Sequence, residues 1–198
     1  MSGGRSAGST PSAGRGGLRV YLGVAPRAGK TYAMLAEAKR LAERGVDVVV
    51  GLVETHDRAD TEAMLAALEQ IPLAQTSHRG SIFEELDVDK VLARRPAVVL
   101  VDELAHSCVP GSRHEKRWED VQELLTAGID VITALNVQHI DSLDDAVEAT
   151  TGIAQHETVP DAVVAAADDI EFVDITPSSC APASPTPASC GQALPRTR

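Results

Sequence analysis

Aromatic side chains make up only 3% of this sequence, and no uninterrupted apolar run approaches the roughly 20 residues that a membrane-spanning helix requires. The first shortage removes the stacking platforms on which single-stranded nucleic acids bind. The second predicts no direct membrane insertion. Basic residues are also scarce, 18 against 29 acidic ones for a formal net charge of -11. Counterion release therefore has no visible basic stripe to work with, and no nucleic-acid partner is expected. Three cysteines, Cys108, Cys180 and Cys190, are an odd number without disulfide or metal-ligand rhythm. That usage fits a reducing compartment, and the expected location is cytoplasmic. The opening stretch MSGGRSAGSTPSAGRGG lacks an apolar core, so it is not a secretory signal. Residues 1–17 are expected to be a disordered leader.

What is present is aliphatic. With 43% apolar residues over 198 positions, one substantial domain with a core of Ala, Val, Leu and Ile is expected. LRVYLGV reads as a strand, and KTYAMLAEAKRLAERG as a helix with Met34, Ala38, Leu41 and Ala42 on one face and Gly45 as its stop. VDVVVGLVE is a continuous apolar strand of the kind buried on both faces of a parallel sheet. RADTEAMLAALEQI returns to helix up to Pro72. The alternation continues with FEELDVDKVLARR as helix, PAVVLVDE as strand, RWEDVQELLTAG as helix, IDVITALN as strand, DSLDDAVEATTG as helix and IEFVDI as a last strand. This pattern predicts a single α/β domain over 18–175, with a doubly wound, mostly parallel sheet. From residue 176 to 198 the text is rich in Pro, Ser and Ala without a period, and a disordered tail is expected.

One junction carries chemistry. VAPRAGKT, Val24 to Thr31, joins the first strand to the first helix and ends as a phosphate-binding loop does. Backbone N–H groups at such a helix start face an anion. Arg27, Ala28, Gly29, Lys30 and Thr31 are the expected phosphate cradle, with Lys30 on the β and γ phosphates of ATP and the Thr31 hydroxyl on Mg²⁺. The full loop pattern asks for glycine at Val24. Arg27 is a second irregularity; forced to positive φ, it costs about 1–2 kcal/mol. A plain strand–turn–helix junction with an incidental lysine is the alternative. A second motif argues against that: VVLVDE is an apolar strand ending in Asp102 and Glu103. Asp102 is expected to hold the Mg²⁺ shell, and Glu103 to polarise an attacking water or hydroxyl as the catalytic residue. In α/β sheets both strand ends belong to the ligand-binding edge.

Together with DELAH, PGSRHEKRW and NVQHIDSL, these stretches resemble the N-terminal cytoplasmic domain of the osmosensitive potassium-channel sensor histidine kinase family, KdpD, over about Leu18 to Ile175. The resemblance implies a P-loop, RecA-like ATP-binding domain in a potassium- and turgor-responsive sensor. Family loops usually read A-P-G-V-G-K-T, so Val24 is ordinary, whereas Arg27 replaces a glycine. Cys108 and Val109 replace the usual polar and small residues. Members of the family continue into a universal-stress-like domain, transmembrane helices and a kinase core; here the text after FVDITP turns to Ala, Ser and Pro, as an out-of-frame tail would.

Asn136, Gln138 and His139 follow the strand IDVITAL, where they are placed to sense the γ-phosphate; helix capping by Asn136 is the structural alternative. Arg113 is counted with the phosphate ligands. With Lys116 and Arg117 beside Trp118 it could also dock a neighbouring domain, or simply form a solvated helix start. Glu54 and His56 end the second strand near the same edge. His106, Cys108 and His114 lack convincing zinc geometry. The functions that follow are an ATP-binding regulatory module; an ATPase or protein serine/threonine-type kinase using Glu103; and a non-binding relic of a truncated sensor. A nucleoside kinase of the thymidine-kinase type ranks below these, because the cysteines for its zinc lasso are missing. The expected partners are a full-length sensor kinase, its response regulator or a potassium transporter subunit.

Overall fold

Six strands lie side by side in the computed structural model of the chain, which describes residues 14–24, 29–55, 58–143 and 157–173. In chain order they are strand β1 (Leu18–Gly23), β2 (Val48–Leu52), β3 (Glu69–Gln70), β6 (Val98–Val101), β7 (Asp130–Asn136) and β8 (Asp169–Val173). Between them fall helices α1 (Lys30–Glu43), α2 (Ala59–Leu65), α3 (Val88–Arg94), α4 (Arg117–Thr126) and α5 (Asp161–Ala165). A short hairpin, β4 (Ala74–His78) with β5 (Ser81–Glu85), stands outside the main sheet. The sheet order is β3-β2-β6-β7-β1-β8, and its pairs run parallel.

The continuous apolar strands follow from burial on two faces. Side chains alternate across a strand. In β6, Val98 and Leu100 therefore join Met34, Leu35 and Ala38 of α1 on one face. Val99 and Val101 join Val121, Leu124 and Leu125 of α4 on the other. Each fully buried Val or Leu here stabilises the fold by about 1.5–3 kcal/mol. Since the strands are parallel, their carboxyl ends share one edge: Gly23 lies opposite Asn136 in register, and Asp102 follows the end of β6. The strand bearing the glycine-lysine-threonine junction and the strand ending in Asp102 are separated by β7. This is an α/β parallel sheet, consistent with a P-loop, RecA-like fold.

Three expectations need correction. On α1, Ala42 is exposed, and Leu35 takes its place in the core. α2 stops at Leu65 instead of running to Pro72. Helix propensity yields there to the open edge of β2, where β3 pairs and Ile71 N–H donates to the Val50 carbonyl at 2.8 Å. Phe83 to Glu85 are strand and not helix. Arg79 and Gly80, with φ of 50° and 83°, form a two-residue turn whose left-handed backbone matches the twist of the hairpin. The helix in that stretch begins at Val88, after Asp87 accepts from Lys90 N–H at 3.0 Å. The helix expected over DSLDDAVEATTG falls almost wholly outside the described residues, as do the leader through residue 13 and the tail from residue 174.

Candidate functional site

The site begins with a residue that has no side chain. Any Cβ on Gly23, the last residue of β1, would sit 2.9 Å from Cδ and 3.2 Å from Nζ of Lys30, so the lysine stem lies directly over the end of the strand. Gly29 before it has φ of 91°, which a glycine adopts without strain, and its carbonyl accepts from Ala33 N–H at 2.9 Å to open α1. The backbone thereby aims Lys30 across the strand ends. Its ammonium donates to Asn136 Oδ1 at 2.5 Å. Burial pushes the Lys30 pKa down, opposed by the negative charges of Asp102 and Glu103. Asn136 thus anchors the lysine and makes no side-chain cap to the 3-10 turn that follows it, Val137–His139.

Thr31 faces the second strand end. Its hydroxyl donates to Asp102 Oδ2 at 2.9 Å, while Asp102 Oδ1 accepts from Glu103 N–H at 2.9 Å. Asp102 is 3% exposed, and burial drives its carboxyl upward in pKa against those two hydrogen bonds. Glu103 adopts φ of 53°, a left-handed conformation that costs a non-glycine residue of order 1 kcal/mol or more. A threonine hydroxyl in contact with a carboxylate oxygen is the hard-oxygen pair that Mg²⁺ accepts when most of its shell comes from phosphate and water. Among the described residues no cluster of three His, Cys, Asp or Glu could hold a metal unaided.

A cavity of about 290 Å³ opens over these groups. It gathers Gly29, Lys30, Thr31, Asp102, Glu103, Asn136 and His139, and with them Glu54. Arg27, Ala28 and His56 lie outside the described residues. Gln138 does not line the cavity, and neither does Arg113. Arg113 is exposed, and its guanidinium is taken by Glu123 and by Asp89, at 2.5 and 2.7 Å. Placing it among phosphate ligands is therefore corrected: two carboxylates already hold its charge. Tyr32, Arg58, Thr61 and Glu157 line the cavity without having been expected there. Glu157 had no signal in the sequence, because it reaches the site only across the fold, accepting from Ser107 N–H at 3.1 Å.

Within the basic stretch after DELAH, Arg117 turns inward instead of facing solvent. Arg117 is 1% exposed and donates to Glu85 Oε2 at 2.5 Å; its Nε lies 3.6 Å from Asp120, an ion-pair distance without a hydrogen bond. Glu85 also accepts from Val109 N–H at 3.0 Å and stands 3.5 Å from His106 Nε2. His114 Nδ1 is 2.7 Å from Asp120, and Cys108 donates to the same carboxylate at 3.7 Å. Burial pushes the Cys108 thiol up to about 11, so it is an inert packing group. The hairpin is fastened to the site through this network, because His106 lines the cavity while Glu85 ends β5.

The network predicts a stability maximum between two limbs. Burial raises the Glu85 pKa, but bonds from His106 and Val109 and the Arg117 charge outweigh it and hold it at about 2. That contribution is complete above the ordinary carboxylate value and lost as pH falls toward 2. His106 is raised, first by its bond to Glu85, so its contribution is complete below the ordinary imidazole value and lost as pH climbs through the raised one. Denaturation midpoints measured against pH should fall on both sides, and His106→Gln should flatten the alkaline limb and weaken the acid one, because it also removes a bond that holds Glu85 down. An alkaline limb unchanged in that variant would remove His106 from the account.

Comparison with known proteins identifies the family. Residues 14–181 match the family described as KdpD: Osmosensitive K+ channel His kinase sensor domain. A sensor protein KdpD of Mycobacterium tuberculosis is 58% identical over 165 residues, covering 83% of this chain and 19% of that protein. The Escherichia coli sensor protein KdpD is 57% identical over 163 residues, 82% of this chain and 18% of its own length. A putative sensor protein KdpD of Synechocystis is 44% identical over 180 residues, 89% of this chain and 49% of its length. The chain thus spans about a fifth of the first two relatives and half of the third. With a match extending over most of its residues, the chain belongs to the KdpD osmosensitive K+ channel His kinase sensor domain family.

Proposed function

We propose that this chain is the ATP-binding regulatory module of a potassium- and osmotic-stress-responsive two-component sensor. The observation that carries the reading is the meeting of Lys30, Thr31, Asp102 and Asn136 in one cavity at the carboxyl edge of a parallel sheet. Lys30 would hold the β and γ phosphates, while Thr31 and Asp102 would complete the Mg²⁺ shell. The bound Mg²⁺ would supply charge neutralisation between the phosphates. Asn136 stands where its amide would report the γ-phosphate, because it already holds the group that binds it. ATP occupancy would then alter the Lys30–Asn136 contact and, through His106, the network under the hairpin. The remainder of a sensor kinase, its response regulator or a potassium transporter subunit would read that change. The test is calorimetric titration of the chain with ATP, with and without Mg²⁺. Micromolar, Mg²⁺-dependent binding supports the reading; no binding by a protein folded by circular dichroism leaves the relic of a sensor.

A second reading, hydrolysis or phosphate transfer to a protein hydroxyl, is favoured by the left-handed backbone of Glu103, a strained geometry kept at the cavity wall. In it Glu103 takes the proton of the attacking oxygen. Glu103→Gln should then lower phosphate release about a hundredfold or more while ATP affinity stays within about threefold. Equal turnover in the two proteins would count against Glu103 as base.

A further inference from the structure

The cavity over Lys30 has a neighbour of about 430 Å³, walled by Gly29, Tyr32, Arg58, Ala59, Asp60 and Thr61. Gly29, Tyr32, Arg58 and Thr61 border both spaces. We propose that this second cavity seats the nucleobase, stacked on the Tyr32 ring and closed by the Arg58 guanidinium. The inference rests on the reading that the first cavity takes a nucleoside triphosphate.

Tyr32 directly follows Thr31, so its ring borders the seat at which the triphosphate would be pinned. A ligand anchored there has its remaining part beside the wall that the two cavities share. Tyr32 is 50% exposed at this wall, whereas Met34 and Leu35 on the same helix are wholly buried. An aromatic face presented to a cavity binds planar bases of any sequence, since every base has a π-face. Arg58 is exposed and pairs with no acidic side chain among the described residues, leaving its planar group able to stack over a ring. Asp60 makes a second anion unwelcome in the same space but can accept from base amino or ribose hydroxyl groups. The chemistry therefore suits an uncharged planar ring with hydrogen-bond donors.

The probe is a pair of ligands with the same phosphates, Mg·ATP and Mg·tripolyphosphate, titrated by calorimetry into the whole chain. Stacking on an aromatic ring commonly tightens binding roughly 5- to 150-fold. The wild type is expected to prefer ATP by about tenfold or more. Tyr32→Ala and Tyr32→Leu should erase that preference and leave tripolyphosphate affinity within about twofold, while Tyr32→Trp should keep it. Retained tripolyphosphate binding shows that the variants fold. An ATP preference surviving in Tyr32→Ala and Tyr32→Leu, or an equal loss for both ligands, overturns the base seat while the phosphate site stands. A wild type that binds neither ligand overturns the nucleotide reading and this inference with it.

Discussion

Lys30→Ala is expected to weaken Mg·ATP binding by at least about a hundredfold. The lysine is 9% exposed and its ammonium is aimed along the strand ends by the bare backbone of Gly23. Hydrogen bonds to charged groups are worth about 1.5–3 kcal/mol each, and Lys30 would make such bonds to two phosphates. A factor of ten corresponds to about 1.4 kcal/mol, so a hundredfold loss asks for less than both bonds together. Alanine also removes a cation whose charge opposes the upward shift of the buried Asp102 carboxyl. Lys30→Met removes the same cation but is the cleaner companion for packing, because its chain still covers Gly23. Calorimetry on the two variants, with circular dichroism as the folding control, measures the loss. ATP affinity within about threefold of the wild type in Lys30→Met would dismiss the lysine as a phosphate ligand.

The second large effect concerns stability and not binding. Arg117→Ala is expected to cost about 3–5 kcal/mol, since it strands Glu85 and Asp120, both nearly buried, without their cation. Against a typical domain stability of about 5–15 kcal/mol, that is a large share. The double variant Arg117→Met, Glu85→Leu should recover the share that belongs to Glu85, because an apolar pair of similar bulk carries no desolvation cost, while Asp120 stays without that cation. Arg113→Ala, four residues earlier in the same motif, should cost no more than about 1 kcal/mol, its ion pairs being exposed. Urea unfolding curves on the four proteins decide the matter. Equal effects at Arg113 and Arg117 would contradict the burial contrast.

Those two arginines also mark where the sequence was legible. Strand and helix alternation could be read because apolar runs and 3.6-residue periods are local, and so could Gly29, Lys30 and Thr31 at their junction. Asp102 was visible as the polar end of an apolar strand. Asn136 was visible as a position, but its bond to a lysine 106 residues away was not. The charges of Arg113, Lys116 and Arg117 looked alike in one dimension. Which of them is buried depends on Glu85, and Glu85 sits on a strand that passed for helix because Arg79-Gly80 lacks the usual Asn-Gly signature of a tight turn. Tyr32 and Arg58 escaped notice for a related reason: a cavity wall made from two helix starts has no sequence period.

The sheet order has a mechanical corollary. β8 is the outermost strand, its Val173 stands in register with Gly23 of β1, and Gly23 lies under Lys30. Parallel neighbours are about 4.8 Å apart, so Val173 lies one strand spacing from the residue over which Lys30 is laid. A pull or twist reaching Val173 is loaded onto five rungs of a single ladder with β1. Tension and nucleotide occupancy would thus act on the same strand, from its side and from its end.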